Sequence, residues 1–213
     1  MDAIMMKIKT FYAIDFPENC YAGITPDGIF LVDPGEKTEQ LLSFVRQNAT
    51  QIKLILLTHR HIDHIGAAAE IKRLCPAARL VIHRLDAEGL TDPVASLSRY
   101  FGMPQMLVSP DLLCEEGNIL RLGQTEILVW HTPGHSAGSV CYQIGDVLFC
   151  GDLIFRQSCG RIDFPTGDPH AMRKSLERLC NFDGELTLYP GHMEPTTLSA
   201  ERAENPYLQE FFA

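Results

Sequence analysis

The segment Thr58-His59-Arg60-His61-Ile62-Asp63-His64 places three histidines and an aspartate within seven residues, directly after the apolar run Lys53-Leu54-Ile55-Leu56-Leu57. Imidazole and carboxylate are the usual donors for zinc and other first-row metals, and one- or two-residue spacing on a turn lets such side chains converge on one point. The segment therefore asks for a buried strand whose far end opens into a ligand-bearing loop. A helix should follow, because Ile65 to Leu74 has high helix propensity and stops before Pro76. α/β proteins commonly place ligands at such a strand-to-helix junction.

The flanking chain alternates in the same way. Met5 to Ile14, Cys20 to Ile24 and Ile29 to Val32 read as strands, with a turn at Thr25-Pro26-Asp27-Gly28. Leu41, Leu42 and Val45 mark one face of a helix from about Thr38 to Asn48. Arg79 to His83 is a short strand, and Asp86 to Phe101 carries helical segments interrupted at Asp92-Pro93. Gly117 to Leu122 pairs with Thr125 to Trp130, and Val140 to Ile144 with Val147 to Cys150, as two hairpins. Leu153 to Gly167 reads as a long irregular segment, and segments of that length in a compact domain are usually functional. Thr166 or Asp168 then caps a helix bearing Met172, Leu176, Leu179 and Cys180 on one face. Leu186 to Tyr189 is the last strand, and Ala200 to Phe212 a short helix and tail.

Three later strand ends deliver further donors: His135 in Gly134-His135, Asp152 in Gly151-Asp152, and His192 in Pro190-Gly191-His192. With His59, His61, Asp63 and His64 they form one candidate constellation. His83, His131 and His170 stand outside it and read as surface or hydrogen-bonded histidines.

Composition narrows the partners. The formal net charge of −9 disfavours phosphate backbones, so no nucleic-acid partner is expected. The seven cysteines are odd in number and contain no Cys-x-x-Cys pair, which fits a reducing cytoplasm better than a disulfide framework. Met1 to Ala13 reads as a strand and not a leader, and no run approaches a membrane span. One domain over 1–213, with neither linker nor repeat, is the expectation.

The ordered set His-x-His-x-Asp-His, Gly-His, Gly-Asp, Gly-His after successive strands resembles the metallo-β-lactamase superfamily, from Val32-Asp33-Pro34-Gly35 to Asn205-Pro206. The resemblance implies an α/β fold, a four-layer αββα sandwich with a two-metal site along one edge of the paired sheets. It implies that His59, His61 and His135 hold one metal, that Asp63, His64 and His192 hold the second, and that Asp152 bridges them. Two divalent ions follow, zinc first, with iron or manganese as alternatives. Two such ions sharing a water bring its pKa toward 7, so a bridging hydroxide attacks the substrate carbonyl, and Asp63 both binds a metal and orients that nucleophile.

Within the superfamily, Gly151-Asp152-Leu153-Ile154-Phe155 and the stretch Gly160 to Asp168 are similar to the short glyoxalase II-like branch. That branch implies a small-molecule thioester substrate such as an S-2-hydroxyacylglutathione; the C-terminal helical glutathione-binding domain of full-length members is not expected here. Cys159-Gly160-Arg161 is also similar to single-iron persulfide dioxygenases of the same superfamily, and lactone or other ester hydrolysis shares much of the ligand set. Arg60 stands where the family usually has glycine, to grip a substrate carboxylate or to point outward. Arg60, Arg161 and Cys159 are the expected substrate-binding residues, Cys159 alternatively being a packed small side chain. Met193 and Glu194, after His192, are expected to reshape the pocket mouth.

Overall fold

The computed structural model describes residues 6–105 and 107–209. Strands β1 (Lys7–Tyr12), β2 (Asn19–Thr25), β3 (Gly28–Val32), β4 (Ile52–Leu56), β5 (Arg79–His83) and β6 (Leu112–Cys114) form one six-stranded sheet in chain order. Its first three strands are antiparallel, and β3 to β6 run parallel. Parallel neighbours need crossovers, and these are supplied by α1 (Glu39–Gln47), then α2 (Ile62–Ile65) with α3 (Ala68–Leu74), then a 3-10 turn with α4 (Ser98–Phe101).

The second half repeats the plan in part. Strands β7 (Ile119–Leu122), β8 (Thr125–His131), β9 (Val140–Ile144), β10 (Val147–Gly151), β13 (Thr187–Pro190) and β14 (Thr196–Thr197) make a second sheet in the order β14-β13-β10-β9-β8-β7. Between β10 and β13 lie the two-residue strands β11 (Ile154–Phe155) and β12 (Ser158–Cys159) and the helix α5 (Pro169–Cys180); α6 (Leu198–Glu204) and α7 (Pro206–Gln209) follow β14.

Side-chain alternation turns these elements into four layers. In β4, Ile52 and Ile55 join Leu41, Val45 and Ile71 in a core between the first sheet and α1 and α3. Leu54 and Leu56 face the other way, packing with Phe30, Val81, Tyr142 and Phe149 between the two sheets. The register slips between Ile29 and Phe30, so that Lys53 is skipped and the apolar alternation on both faces survives. The outer face of the second sheet, with Cys141, Leu148 and Leu188, buries the stripe Met172, Leu176 and Leu179 of α5. Burying each such large side chain contributes roughly 1.5–3 kcal/mol, so the paired sheets form a rigid base for the loops along their edge.

Several boundaries differ from the sequence reading. The single helix expected from Ile65 to Leu74 is two: α2 starts at Ile62, inside the histidine segment, and Ala67 N–H donates to Pro34 O instead of continuing the helix. The irregular segment expected from Leu153 to Gly167 contains the β11–β12 pair. Of the two candidate caps, Asp168 is the one used, accepting from His170 N and Ala171 N. The helix expected from Ala200 starts earlier, at Leu198, because Thr197 Oγ1 caps it, and it ends before Asn205-Pro206. Met5, and the tail beyond Gln209, lie outside the described residues. No helix among the described residues is long and apolar enough to cross a membrane.

Candidate metal centre

The centre is assembled from the ends of both sheets. Beyond β4 the chain turns at Thr58, whose N–H and hydroxyl donate to Asp33 at 2.7 and 2.5 Å. Asp33 directly follows β3, is buried, and holds the left-handed φ of 47° that non-glycine residues rarely adopt. The neighbouring parallel strands thus lock their ends together, and the ligand segment starts from a fixed point.

Hydrogen bonds set the ring orientations. His64 Nδ1 lies 3.0 Å from Asp33 Oδ2, so Nδ1 carries the proton and Nε2 presents its lone pair inward. His135 Nδ1 donates to Arg161 O at 2.6 Å, and His192 Nδ1 donates to Pro17 O, with the same outcome for each Nε2. Inward-facing nitrogens consequently approach each other: His64 Nε2 is 3.4 Å from His192 Nε2, and His61 Nδ1 is 2.8 Å from His135 Nε2. Close lone pairs of this kind are what a cation relieves.

Donor atoms of His59, His61 and His135 lie within 4.8 Å of one another, as do those of Asp63, His64 and His192. The Asp152 carboxylate touches both groups: Oδ2 is 3.3 Å from His135 Nε2 and 3.6 Å from His192 Nε2, and Oδ1 is 3.4 Å from His64 Nε2. A third grouping, Asp33 with His59 and His64, satisfies the same distance. It is not a ligand set in our reading, because Thr58 and His64 already occupy both oxygens of Asp33.

Two glycines permit this crowding. A Cβ on Gly191 would stand 2.5 Å from Asp152 Oδ1 and 2.6 Å from His64 Cε1. Gly151 has φ +47°, and a Cβ there would meet Thr58 Oγ1 at 2.4 Å.

The protonation pattern suits a divalent ion. Burial, followed by the neighbouring His64 and His135, pushes His59 well below the ordinary histidine range. Burial likewise lowers His61, with His135 adding to it. Burial alone would raise Asp63, but His64 and His192 outweigh it and hold the carboxyl well below its usual value. Burial also works against charge on His64, yet Asp152 and Asp63 prevail and raise it. His192 is raised in the same way, Asp63 and Asp152 outweighing its burial, so in the metal-free protein these two rings hold protons that a bound cation would displace. His59 Nε2, His61 Nε2 and Asp152 Oδ1 are buried with no hydrogen-bond partner among the described residues. Orphaned polar atoms of this type are costly unless something binds them, and imidazole nitrogens gathered around ionised carboxylates fit a divalent cation, which takes the place of the protons.

A cavity of about 430 Å³ opens onto His61, Asp63, His135, Asp152 and His192. A second, of about 520 Å³, lies on the α5 side of residues 159–163 and contains none of the candidate ligands. Both share Cys159 and Arg161, so these two expected substrate-facing residues do line the site cavity. Arg161 is nevertheless engaged within the chain, forking onto Asp163 at 2.6 Å through both Nε and Nη2 and lying 4.0 Å from the centre of the Phe164 ring. Glu194 pairs with Arg156 at 2.9 Å, while Met193 is half exposed on the cavity wall.

Arg60 corrects the sequence reading, since it neither points outward nor lines this cavity. It is 5% exposed; its Nη2 donates to Thr166 Oγ1 at 2.9 Å, and its Nε is 4.0 Å from Asp86 Oδ1. Asp86, fully buried, accepts from Arg60 N, Ser136 Oγ and Gly138 N. The pair thus ties the loops of His59–His64, His135 and residues 160–167 together. Sequence reasoning missed Asp33 and Asp86, and for Asp33 the Asp-Pro-Gly at a strand end was the available signal. Of the remaining histidines, His83 and His131 stack at 4.2 Å and 11°, His131 donates to Ala137 O, and His170 lies in the first turn of α5.

Comparison with known proteins agrees with this geometry. The profile of the Metallo-beta-lactamase superfamily matches residues 13–192. Hydroxyacylglutathione hydrolase GloC of Haemophilus influenzae is 30% identical, over 95% of this chain and 98% of its own. Among solved structures, the BLEG-1 B3 metallo-beta-lactamase superposes with a TM-score of 0.87 at 32% identity, covering 95% of this chain and 99% of that one. TTHA1623 in a di-iron-bound form gives 0.82 at 36% identity, covering 94% and 100%.

Proposed function

The chain belongs to the metallo-beta-lactamase superfamily, and from that premise we propose that this metallo-hydrolase cleaves a thioester, with an S-2-hydroxyacylglutathione as reference substrate. The observation that carries the reading is Asp152, whose two oxygens reach nitrogens of both histidine groups within 3.3 to 3.6 Å. His59, His61 and His135 would hold one ion, Asp63, His64 and His192 another, and Asp152 both. Bound divalent ions supply Lewis acidity and a lowered water pKa. The di-iron form of TTHA1623 supports two ions and keeps iron beside zinc as a candidate.

The chain's own groups do the rest. Asp63 is held ionised beside His64 and His192 and is partly open to the cavity, its side chain 23% exposed, so it is the carboxylate able to orient an attacking water. Water oxygen bonds to the acyl carbon, the C–S bond breaks, and the leaving sulfur takes a proton, giving a carboxylic acid and a thiol. Neither serine nor cysteine is needed as nucleophile. The name of the Haemophilus relative supports the thioester. The net charge of −9 supports a small-molecule partner over nucleic acid.

The test is hydrolysis of a panel of acyl thioesters, lactones and β-lactams with metal content measured in parallel. Turnover of thioesters that scales with metal loading is expected; none with both sets filled would overturn the reading. Cys159 on the cavity wall favours one competitor, single-iron oxidation of glutathione persulfide. Oxygen consumption with that substrate would select it.

A further inference from the structure

The cavity lining has two chemically distinct parts. Beside the ligands run Phe16, Phe101 and Phe164, in edge-to-face succession at 5.6 Å and 6.1 Å between ring centres. Phe164 is also edge-on to His61 at 5.3 Å, so the aromatic wall begins where the ligand rings end. Phe155 faces His192 in the same manner at 5.6 Å on the other side. Phe101 remains 44% exposed and Met193 54% exposed, an apolar surface in a concavity that a ligand can cover.

Charge gives the complementary half of the argument. Arg161 is the only lysine or arginine among the described residues lining this cavity, and Asp163 already occupies its fork. The wall is also held in place. Arg60 Nη2 bonds Thr166 Oγ1 and Pro165 O, next to Phe164 in the chain, and Thr166 Oγ1 accepts from Ala137 N as well. A preorganised apolar wall gains about 25 cal/mol for each Å² of apolar ligand surface it covers, and a lactoyl group offers little such surface.

We propose that the acyl half of the substrate is an apolar, aryl-sized group packed against Phe16, Phe101 and Phe164, and that Phe164 sets the preference for it. This rests on the hydrolase reading above for the position of the carbonyl, at the ligands lining the same cavity.

The experiment compares thioesters of one neutral thiol, N-acetylcysteamine, carrying acetyl, lactoyl, hexanoyl, phenylacetyl and mandeloyl groups, on the metal-loaded enzyme. Mandeloyl and lactoyl share the 2-hydroxyl and differ in phenyl against methyl. Their kcat/KM ratio should be at least ~10 in the wild type and fall several-fold in Phe164→Ala, a range typical of apolar pocket discrimination. Phe164→Leu, which keeps the volume largely filled, gives an intermediate ratio and guards against misfolding of the alanine variant. Calorimetric binding of phenylacetate against acetate is measured beside it and needs no turnover. Tighter phenylacetate binding, weakened in Phe164→Leu, supports the pocket even if no thioester is cleaved, an outcome that would sink only the hydrolase reading. Hydrolysis with lactoyl equal to or better than mandeloyl, together with equal binding of the two acids, overturns the proposal and leaves hydrolysis standing.

Discussion

Arg60 Nη2 donates to Thr166 Oγ1 across 106 residues of sequence, at 2.9 Å. The bond fastens an exposed loop residue of left-handed backbone, φ 71°, to a buried cation at the centre of the ligand segment. Arg60→Ala removes this fastening and leaves Asp86 with only its neutral donors. Loss of about 1–3 kcal/mol in urea unfolding is expected. A change below about 0.5 kcal/mol would mean that the guanidinium holds nothing.

Asp33 fixes Thr58 and the His64 ring without belonging to either ligand group. Asp33→Asn keeps the shape but can no longer accept on both oxygens from Thr58 and His64. Affinity for zinc should fall about 10- to 100-fold, as read by competition with a chromophoric chelator. An unchanged affinity would remove Asp33 from the orientation of His64.

Glu18 is buried with no hydrogen-bond partner for either oxygen among the described residues. Burial raises its pKa well above 4.5; His64 opposes the shift, and Asp33 and Asp63 add to it. A carboxyl kept neutral in the fold costs nothing below its unfolded pKa and progressively more as pH rises above it. Glu18→Gln in metal-free protein should therefore melt higher than wild type at pH 8 and at the same temperature at pH 4. The opposite order at pH 8 would show that Glu18 is ionised and bound.

Asp63→Asn retains the size of a residue whose carboxylate the site keeps ionised. Hydrolysis should drop at least ~100-fold, far beyond what the modest fall in melting temperature of the metal-free protein, from loss of a carboxylate that His64 and His192 stabilise, would produce. Parallel measurement of bound metal separates lost chemistry from lost occupancy, and an unaltered rate would remove Asp63 from the reaction.

Much of the centre was legible because its donors are local in sequence or punctuated by glycine. His59, His61, Asp63 and His64 share one turn, and His135, Asp152 and His192 each follow a strand and a glycine. The roles of Asp33 and Asp86 were missed, since their partners lie 25 to 52 residues away and meet them only once the strands have paired; Asp33 at least stood in an Asp-Pro-Gly at a strand end, while Asp86 had no such mark. Arg60 was read by residue type, as a cation that grips a substrate carboxylate or points outward, when its surroundings bury it against Asp86 and Thr166. The start of α2 at Ile62 was hidden by histidines, poor helix formers that tertiary placement overrides here. Phe164 lay inside the stretch Gly160 to Asp168 that carries the family resemblance, but was not singled out: its position on the cavity wall comes from packing on His61 and from the anchoring of the next two residues by Arg60.

His64 and His192 face each other 128 residues apart, and His61 and His135 meet over 74. Each donor group thus takes members from both sheets, and the first sheet alone can offer only incomplete coordination. During synthesis, when N-terminal units fold first, an emerging chain has no complete group until His135 has been made and none around His64 until His192 has. Metal acquisition is therefore a late event in the life of each molecule, and the ion reports that both halves have docked.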